Sequence, residues 1–147
     1  MAARDRASDD RSTSRLDAVE RFRSAFAQAC QTEVRPAMEA VIERLRANGG
    51  GGLIHQHPGG EPRFRHPSCV AWLSLEGEIL GEPRPDRHGY LQIEADVTAR
   101  EILVSEGDMR QGGGGSRSGR AGSWQLSDLT QERVRAELVE IVRRSAQ

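Results

Sequence analysis

Hydrophobic residues recur every three or four positions along the first third of the chain, and this is the spacing of one face of an α-helix. The stripe begins after Ser14, a residue suited to cap a helix N-terminus, and ends before Asn48 and Gly49. Pro36 lies inside the stripe, so we predict one helix of about thirty residues that is kinked just before this proline. The apolar positions of the stripe are Leu16, Val19, Phe22, Phe26, Cys30, Val34, Met38, Val41, Ile42 and Leu45.

The middle of the chain alternates apolar and polar residues, which is typical of strands with one buried face. The clearest run is 90–97, in which Leu91, Ile93 and Ala95 point one way while Gln92 and Glu94 point the other way. The last two of five such segments are short, so we predict an antiparallel sheet of about four to five strands. The segments are 53–57, 69–75, 90–97, 102–105 and 123–126.

A second helical stripe closes the chain and runs from Val134 to Val142, with Thr130 placed to cap its N-terminus. The order helix, strands, helix predicts an α+β fold in which the helices cover the apolar face of the sheet. Residues 1–13 are polar and of mixed charge. We therefore predict a disordered N-terminal arm over 1–13, followed by a single domain over 14–147.

The first helix is long for a domain of this size. At about 1.5 Å per residue it spans roughly 45 Å, which exceeds the width of four or five strands spaced about 4.8 Å apart. Part of its apolar stripe should overhang the sheet and need another partner, and a second copy of the chain is the simplest one. We therefore expect a homodimer whose contact residues are Leu16, Val19, Phe22 and Phe26.

Composition indicates a compartment but no substrate. The net charge is −1, and all 21 basic residues are arginine, a bias typical of a GC-rich bacterial genome. A near-neutral chain has no general attraction to nucleic acid or to anionic lipid. No signal-peptide core follows the N-terminus, no apolar run suits a membrane span, and Cys30 and Cys69 do not form a disulfide framework. We expect a cytoplasmic protein with no membrane contact.

One group of residues has the chemistry of a metal site. His55 and His57 alternate within a predicted strand, so their imidazoles point to the same face. His66 and Cys69 follow across a proline- and glycine-rich loop and would complete a tetrahedral zinc site. The spacing matches no paired CxxC and no HExxH motif. The alternative reading places the histidines in a turn and on a solvent face, with Cys69 as a small core residue.

A glycine-rich loop over 110–122 carries a second candidate chemistry. Arg110, Arg117 and Arg120 lie on this loop and would contact phosphates of a nucleic acid or nucleotide. The glycine run does not continue into the Lys-Ser/Thr of a phosphate-binding loop. A solvated loop is the competing interpretation.

Three classes of function remain. The lack of a nucleophile elbow or nucleotide fingerprint favours a small non-catalytic interaction or assembly protein, such as an accessory subunit, chaperone or regulator. It would act through its long helix and its sheet face, bind protein partners and need no cofactor. The first alternative is a zinc-binding domain or metal-dependent enzyme built on His55, His57, His66 and Cys69. The second alternative is a nucleic-acid-associated protein that uses the loop arginines.

Overall fold

The structure is a computed structural model that describes residues 2–109, 119–120 and 124–146, with side chains for residue 11 and for residues 13–109 and 124–146. One continuous helical segment forms its N-terminal part. It consists of α1 (Ala2–Ala29), a π-helical turn (Cys30–Val34) and α2 (Arg35–Ala47). The helix therefore begins at Ala2, within the segment predicted as a disordered arm. The described side chains of residues 11–17 are exposed, and the domain limits at 13 and 14 stay a prediction.

The π-helical turn lies directly before Pro36, where the sequence predicts a kink. Proline has no N–H to donate to the carbonyl four residues back, and its ring crowds that carbonyl. In the wider turn the N–H of Arg35 donates instead to the oxygen of Cys30, five residues back. The irregularity therefore relieves the crowding at proline while the helix continues as one segment.

Four of the strands form an antiparallel meander, and a two-residue strand extends it. The strands are β1 (Gly51–His57), β2 (Ser68–Ser74), β3 (Gly89–Asp96), β4 (Glu101–Gly107) and β5 (Gly119–Arg120). They lie side by side in chain order, so β1 and β5 are the edges. The α+β class predicted from the sequence is confirmed.

The predicted last strand over 123–126 was wrong in its position. Trp124 forms only an isolated bridge with Ile102, and Leu126–Asp128 is a 3₁₀ turn. The N–H of Gln125 donates to Oδ2 of Asp128 at 2.8 Å. This side-chain bond offers the backbone an alternative to strand pairing, which explains the turn.

Both α2 and α3 (Gln131–Ser145) pack on the same face of the sheet. The thiol of Cys69 lies 3.6 Å from the sulfur of Met38, so β2 is held directly beneath α2. At Gly52 an added Cβ would lie 2.5 Å from the oxygen of Trp72 and 2.9 Å from Cγ1 of Ile42. Glycine is needed here because α2 approaches the backbone of β1 too closely for a side chain.

Helix α3 begins where the sequence predicts it. The hydroxyl of Thr130 accepts a hydrogen bond from the N–H of Arg133 at 3.2 Å, which is the expected N-cap. The N–H of Gln131 donates to Glu33 at 3.1 Å and so joins the start of α3 to the π-helical turn. No helix in the described part of the chain is long and apolar enough to cross a membrane.

Candidate functional site

The face of the sheet that points away from the helices carries several apolar side chains that the described helices do not contact. Helix contacts with Cys69, Gly52 and Gly89 all fall on the other face, and side chains alternate along each strand. The described helices therefore cover only one face of the sheet. We name this surface the open face and define it by Leu53, His55, His57, Val70, Trp72, Tyr90, Gln92, Glu94 and Leu103.

An apolar row crosses the open face at one end. Leu53 of β1 lies opposite Trp72 of β2, which lies opposite Tyr90 of β3. The rings of Trp72 and Tyr90 are 5.3 Å apart and tilted by 45°. Leu53 and Trp72 remain half-buried, while burial, with a smaller contribution from Glu106, raises the pKa of Tyr90. The row is thus a rigid apolar platform that is still partly open to solvent.

The opposite end of the open face is polar. The ring of His57 stacks on Phe64 with centroids 3.8 Å apart, and the ring of His55 lies 6.2 Å from that of His57. Glu94 lies in the same row as His57, with Ser68 between them. The face therefore carries imidazoles on β1 and a carboxylate on β3. Sequence alternation predicts that His55 and His57 share a face, but it gives no register for Glu94.

The structure does not bring the four predicted metal ligands together. Cys69 is fully buried under α2, on the opposite side of the sheet from His55 and His57. His66 is half-buried in the loop between β1 and β2. Within the described ranges, no three histidine, cysteine or carboxylate side chains are placed to hold a metal ion. Strand pairing explains the failure, because Cys69 lies opposite Gln56, whose side chain points away from the two histidines.

Cys69 instead belongs to a sulfur cluster in the core. Its thiol contacts Met38 at 3.6 Å, and both Cys69 and Cys30 are buried as free thiols. A hydrogen bond to Cys69, together with burial, raises the pKa of Cys30. A thiol that stays protonated is a poor metal ligand and a poor nucleophile, so Cys30 acts as a packing residue.

The predicted contact stripe on the first helix is mostly covered by its own chain. Phe26 is 2% exposed and lies in the core, so it is not available to a second copy. Val19 and Phe22 are half-buried and pack against the core. Leu16 remains 65% exposed. The first helix is at least as long as the sequence predicts. Its predicted contact stripe, however, exposes much less apolar surface than expected.

The arginine loop falls largely outside the described residues. Arg110 and Arg117 lie there, and of Arg120 only the backbone is described, where it pairs with Ser105. Their predicted contact with phosphate stays a prediction.

A groove between α2 and α3 is a second open surface, and the sequence analysis missed it. Its volume is about 410 Å³, and its apolar lining includes Val41, Leu45 and Val139. Arg44 and Arg135 also line it. Periodicity predicts α2 and α3 separately, but it does not show how the two helices pack against each other. The residues that line the groove between them therefore could not be identified from the sequence.

A charged cluster joins β4 to α3 on the helix-covered face. Arg144 donates to Oε1 of Glu106 at 2.8 Å, with 29% and 15% of the two side chains exposed. Burial, followed by the nearby charge of Glu106, raises the pKa of Glu137. Oε2 of Glu106 is buried and accepts no hydrogen bond from a described group. A proton on Glu137 would supply that bond.

We predict that Glu137→Gln stabilises the domain at neutral pH and that this gain shrinks on acidification. A carboxyl group whose folded pKa is raised contributes stability below its unfolded pKa, and this contribution is lost as the pH rises through the folded value. The amide remains neutral at every pH and can donate to Glu106. Urea unfolding of both proteins should be compared from pH 7 down to the ordinary glutamate value near 4.5. A difference in stability that is independent of pH would contradict the prediction.

Comparisons of the chain with protein-family models, with curated proteins and with solved structures find no match. The function must therefore be argued from the surfaces described above.

Proposed function

We propose that this chain is a small non-catalytic interaction protein that binds another polypeptide through the open face, as an accessory or assembly subunit. The observation that carries the proposal is the apolar content of a sheet face that the described helices do not cover. Leu53, Trp72 and Leu103 are half-buried there, beside the buried Val70 and Tyr90. The solvent face of an antiparallel sheet is usually polar. Contiguous apolar surface on a small domain often marks an interaction site.

The chemistry of the face supports binding rather than a reaction. Tryptophan and tyrosine provide large contact areas at a low cost in side-chain entropy, and they are enriched at protein interfaces. The open face also carries His57 and Glu94 at its polar end, where they can orient a partner by hydrogen bonds. We infer a cytoplasmic location because the two cysteines are free and buried, which suits a reducing compartment.

Site-specific photocrosslinking tests the proposal. A photoreactive phenylalanine analogue is introduced at Leu103 or at His55 in the full chain, expressed in the host cells of the native protein. We expect an adduct of discrete mass with one polypeptide, because both positions lie at the rim of the proposed contact. The matched control carries the analogue at Glu132, which is exposed on α3 and should give no such adduct.

The outcomes separate clearly. The same adduct from Leu103 and from His55, reduced when Trp72 is replaced by serine in a protein that remains folded, supports the open face as the interaction surface. No adduct from either position, or equal labelling at Glu132, contradicts the proposed function.

A further inference from the structure

We propose that the partner of the open face is a second copy of this chain, stacked face to face about a two-fold axis parallel to β2. In this arrangement His57 of one copy lies over Glu94 of the other copy. The inference rests on the proposed function, and it adds the identity of the partner and the geometry of the contact.

Strand register defines three rows across the open face. The first row is Leu53, Trp72 and Tyr90, the second is His55, Val70 and Gln92, and the third is His57, Ser68 and Glu94. In each row the first residue lies on β1, the second on β2 and the third on β3. Along the strand direction, the open face therefore changes from an apolar first row to a polar third row. Within the third row, the side chains change from a histidine on β1 to a carboxylate on β3.

A two-fold axis parallel to β2 turns this pattern into a complementary one. The operation places β1 of one copy over β3 of the other and keeps each row opposite itself. Trp72 then lies over its own counterpart and Leu53 lies over Tyr90, whereas Val70 and Tyr90, at 5% and 7% exposed, add little contact area of their own. By symmetry the contact between His57 and Glu94 occurs twice. An imidazole N–H can donate to an ionised carboxylate, which only accepts.

The other two-fold arrangement of stacked sheets is less favourable. An axis perpendicular to the strands places β1 over β1 and reverses the order of the rows. Leu53 would then lie against His57 of the other copy, and neither histidine would reach Glu94. Packed sheets lie about 10 Å apart with their strands rotated by about 30°, so the axis would lie about 15° from the direction of β2.

Pairing through the β1 edge of the sheet is less favoured than pairing through the open face. At β1 the carboxylate of Glu78 accepts from the N–H of Gly52 at 3.4 Å. Arg46 donates to the oxygen of Gly52 at 3.2 Å and to Glu78 at 2.6 Å. These side chains occupy backbone groups that a new strand would need, which is a recognised means of protecting an edge.

The proposed contact is small. Strands about 4.8 Å apart with residues about 3.4 Å apart give a face of modest extent, and interfaces below about 1,200 Å² in total are usually weak or transient. We therefore expect a reversible dimer with a dissociation constant on the order of micromolar.

A charge exchange between His57 and Glu94 tests the geometry. The full chain and its variants are examined by sedimentation equilibrium over the micromolar range. His57→Glu places two carboxylates together in each contact, and we expect dimerisation to weaken by about tenfold or more, equivalent to about 1.4 kcal/mol. Glu94→Lys alone should also weaken it, because His57 loses its acceptor. The variant that carries both substitutions should recover most of the affinity, since the introduced carboxylate on β1 would then face the introduced ammonium on β3 of the other copy.

The control is Glu132→Lys, which makes the same change of charge as Glu94→Lys on the exposed start of α3 and should not alter the mass. Far-ultraviolet circular dichroism confirms that each variant is folded. A dimer that both single variants leave unchanged, or that the double variant fails to restore, overturns the proposed geometry. A chain that is monomeric throughout and crosslinks to a different protein overturns the second copy as the partner but not the proposed function.

Discussion

Leu138→Ala should lower the free energy of unfolding by about 2–5 kcal/mol, the range measured for large-to-small substitutions at closed core positions. Leu138 is 0% exposed and belongs to the main hydrophobic core. Helix α3 contacts both α2 and β3, so a cavity here would loosen the helix from two neighbours at once. The loss includes both the transfer of the removed methyl groups and the cavity that remains.

The adjacent residue provides the control for this prediction. Val139 is 46% exposed, and Val139→Ala on the same turn of α3 should cost less than about 1 kcal/mol. Urea unfolding followed by circular dichroism gives both values, and equal slopes against urea would show that the same amount of surface is exposed on unfolding. Equal losses in the two variants would contradict the packing of α3 described above.

Arg144→Met should lower the free energy of unfolding by about 2–3 kcal/mol at pH 7, less than for a fully buried pair because both side chains retain some solvent. The substitution keeps much of the apolar stem but removes the donor to Glu106 at 2.8 Å. Only 15% of the Glu106 side chain is exposed. A carboxylate would therefore remain largely desolvated without its cation.

Arg143→Met is the matched control on the neighbouring residue. Arg143 also pairs with a glutamate, Glu140, at 2.8 Å, but 67% of the arginine side chain is exposed. Exposed pairs contribute little, so the free energy of unfolding should be nearly unchanged. A double variant, Glu106→Gln with Arg144→Met, should recover part of the loss. If Arg144→Met lowers the free energy of unfolding equally whether residue 106 is glutamate or glutamine, the effect comes from lost packing and not from an unpaired carboxylate.

Local patterns predict the elements of this fold because each is defined by short-range chemistry. The cap at Thr130 and the alternation around Leu91 and Ile93 depend on neighbouring residues, and the structure confirms both. The two-residue strand β5 lies within the segment predicted as the arginine loop, and it depends instead on pairing with β4. Its position therefore could not be read from residues 123–126.

Which candidate residues lie close together depends on how the strands are aligned with one another, and the sequence does not determine that alignment. Alternation places His55 and His57 on one face, as the structure also shows. The placement of Cys69 on the opposite face follows from a long loop whose geometry has no simple sequence signature. Likewise, the pairing of His57 with Ser68 and Glu94 in one row could not be derived before the strands were aligned.

The π-helical turn had a signal in the sequence that periodicity alone did not resolve. Phe26, Cys30, Val34 and Met38 are spaced by four residues, and all are buried. In a regular helix each step of four overshoots a full turn by about 40°. Three such steps drift by about 120°, or roughly one residue. The wider turn absorbs this drift, so all four side chains remain directed at the core.

The same turn determines how α1 is oriented about its own axis relative to α2. If Cys30–Val34 became an ordinary α-helical segment with all of its residues retained, everything before it would rotate by about 100° relative to α2. Phe26 would swing out of the core, and polar residues of α1 would turn toward it. The extra residue acts as an angular spacer, and it allows a helix with a four-residue apolar repeat to keep every member of that repeat in the core.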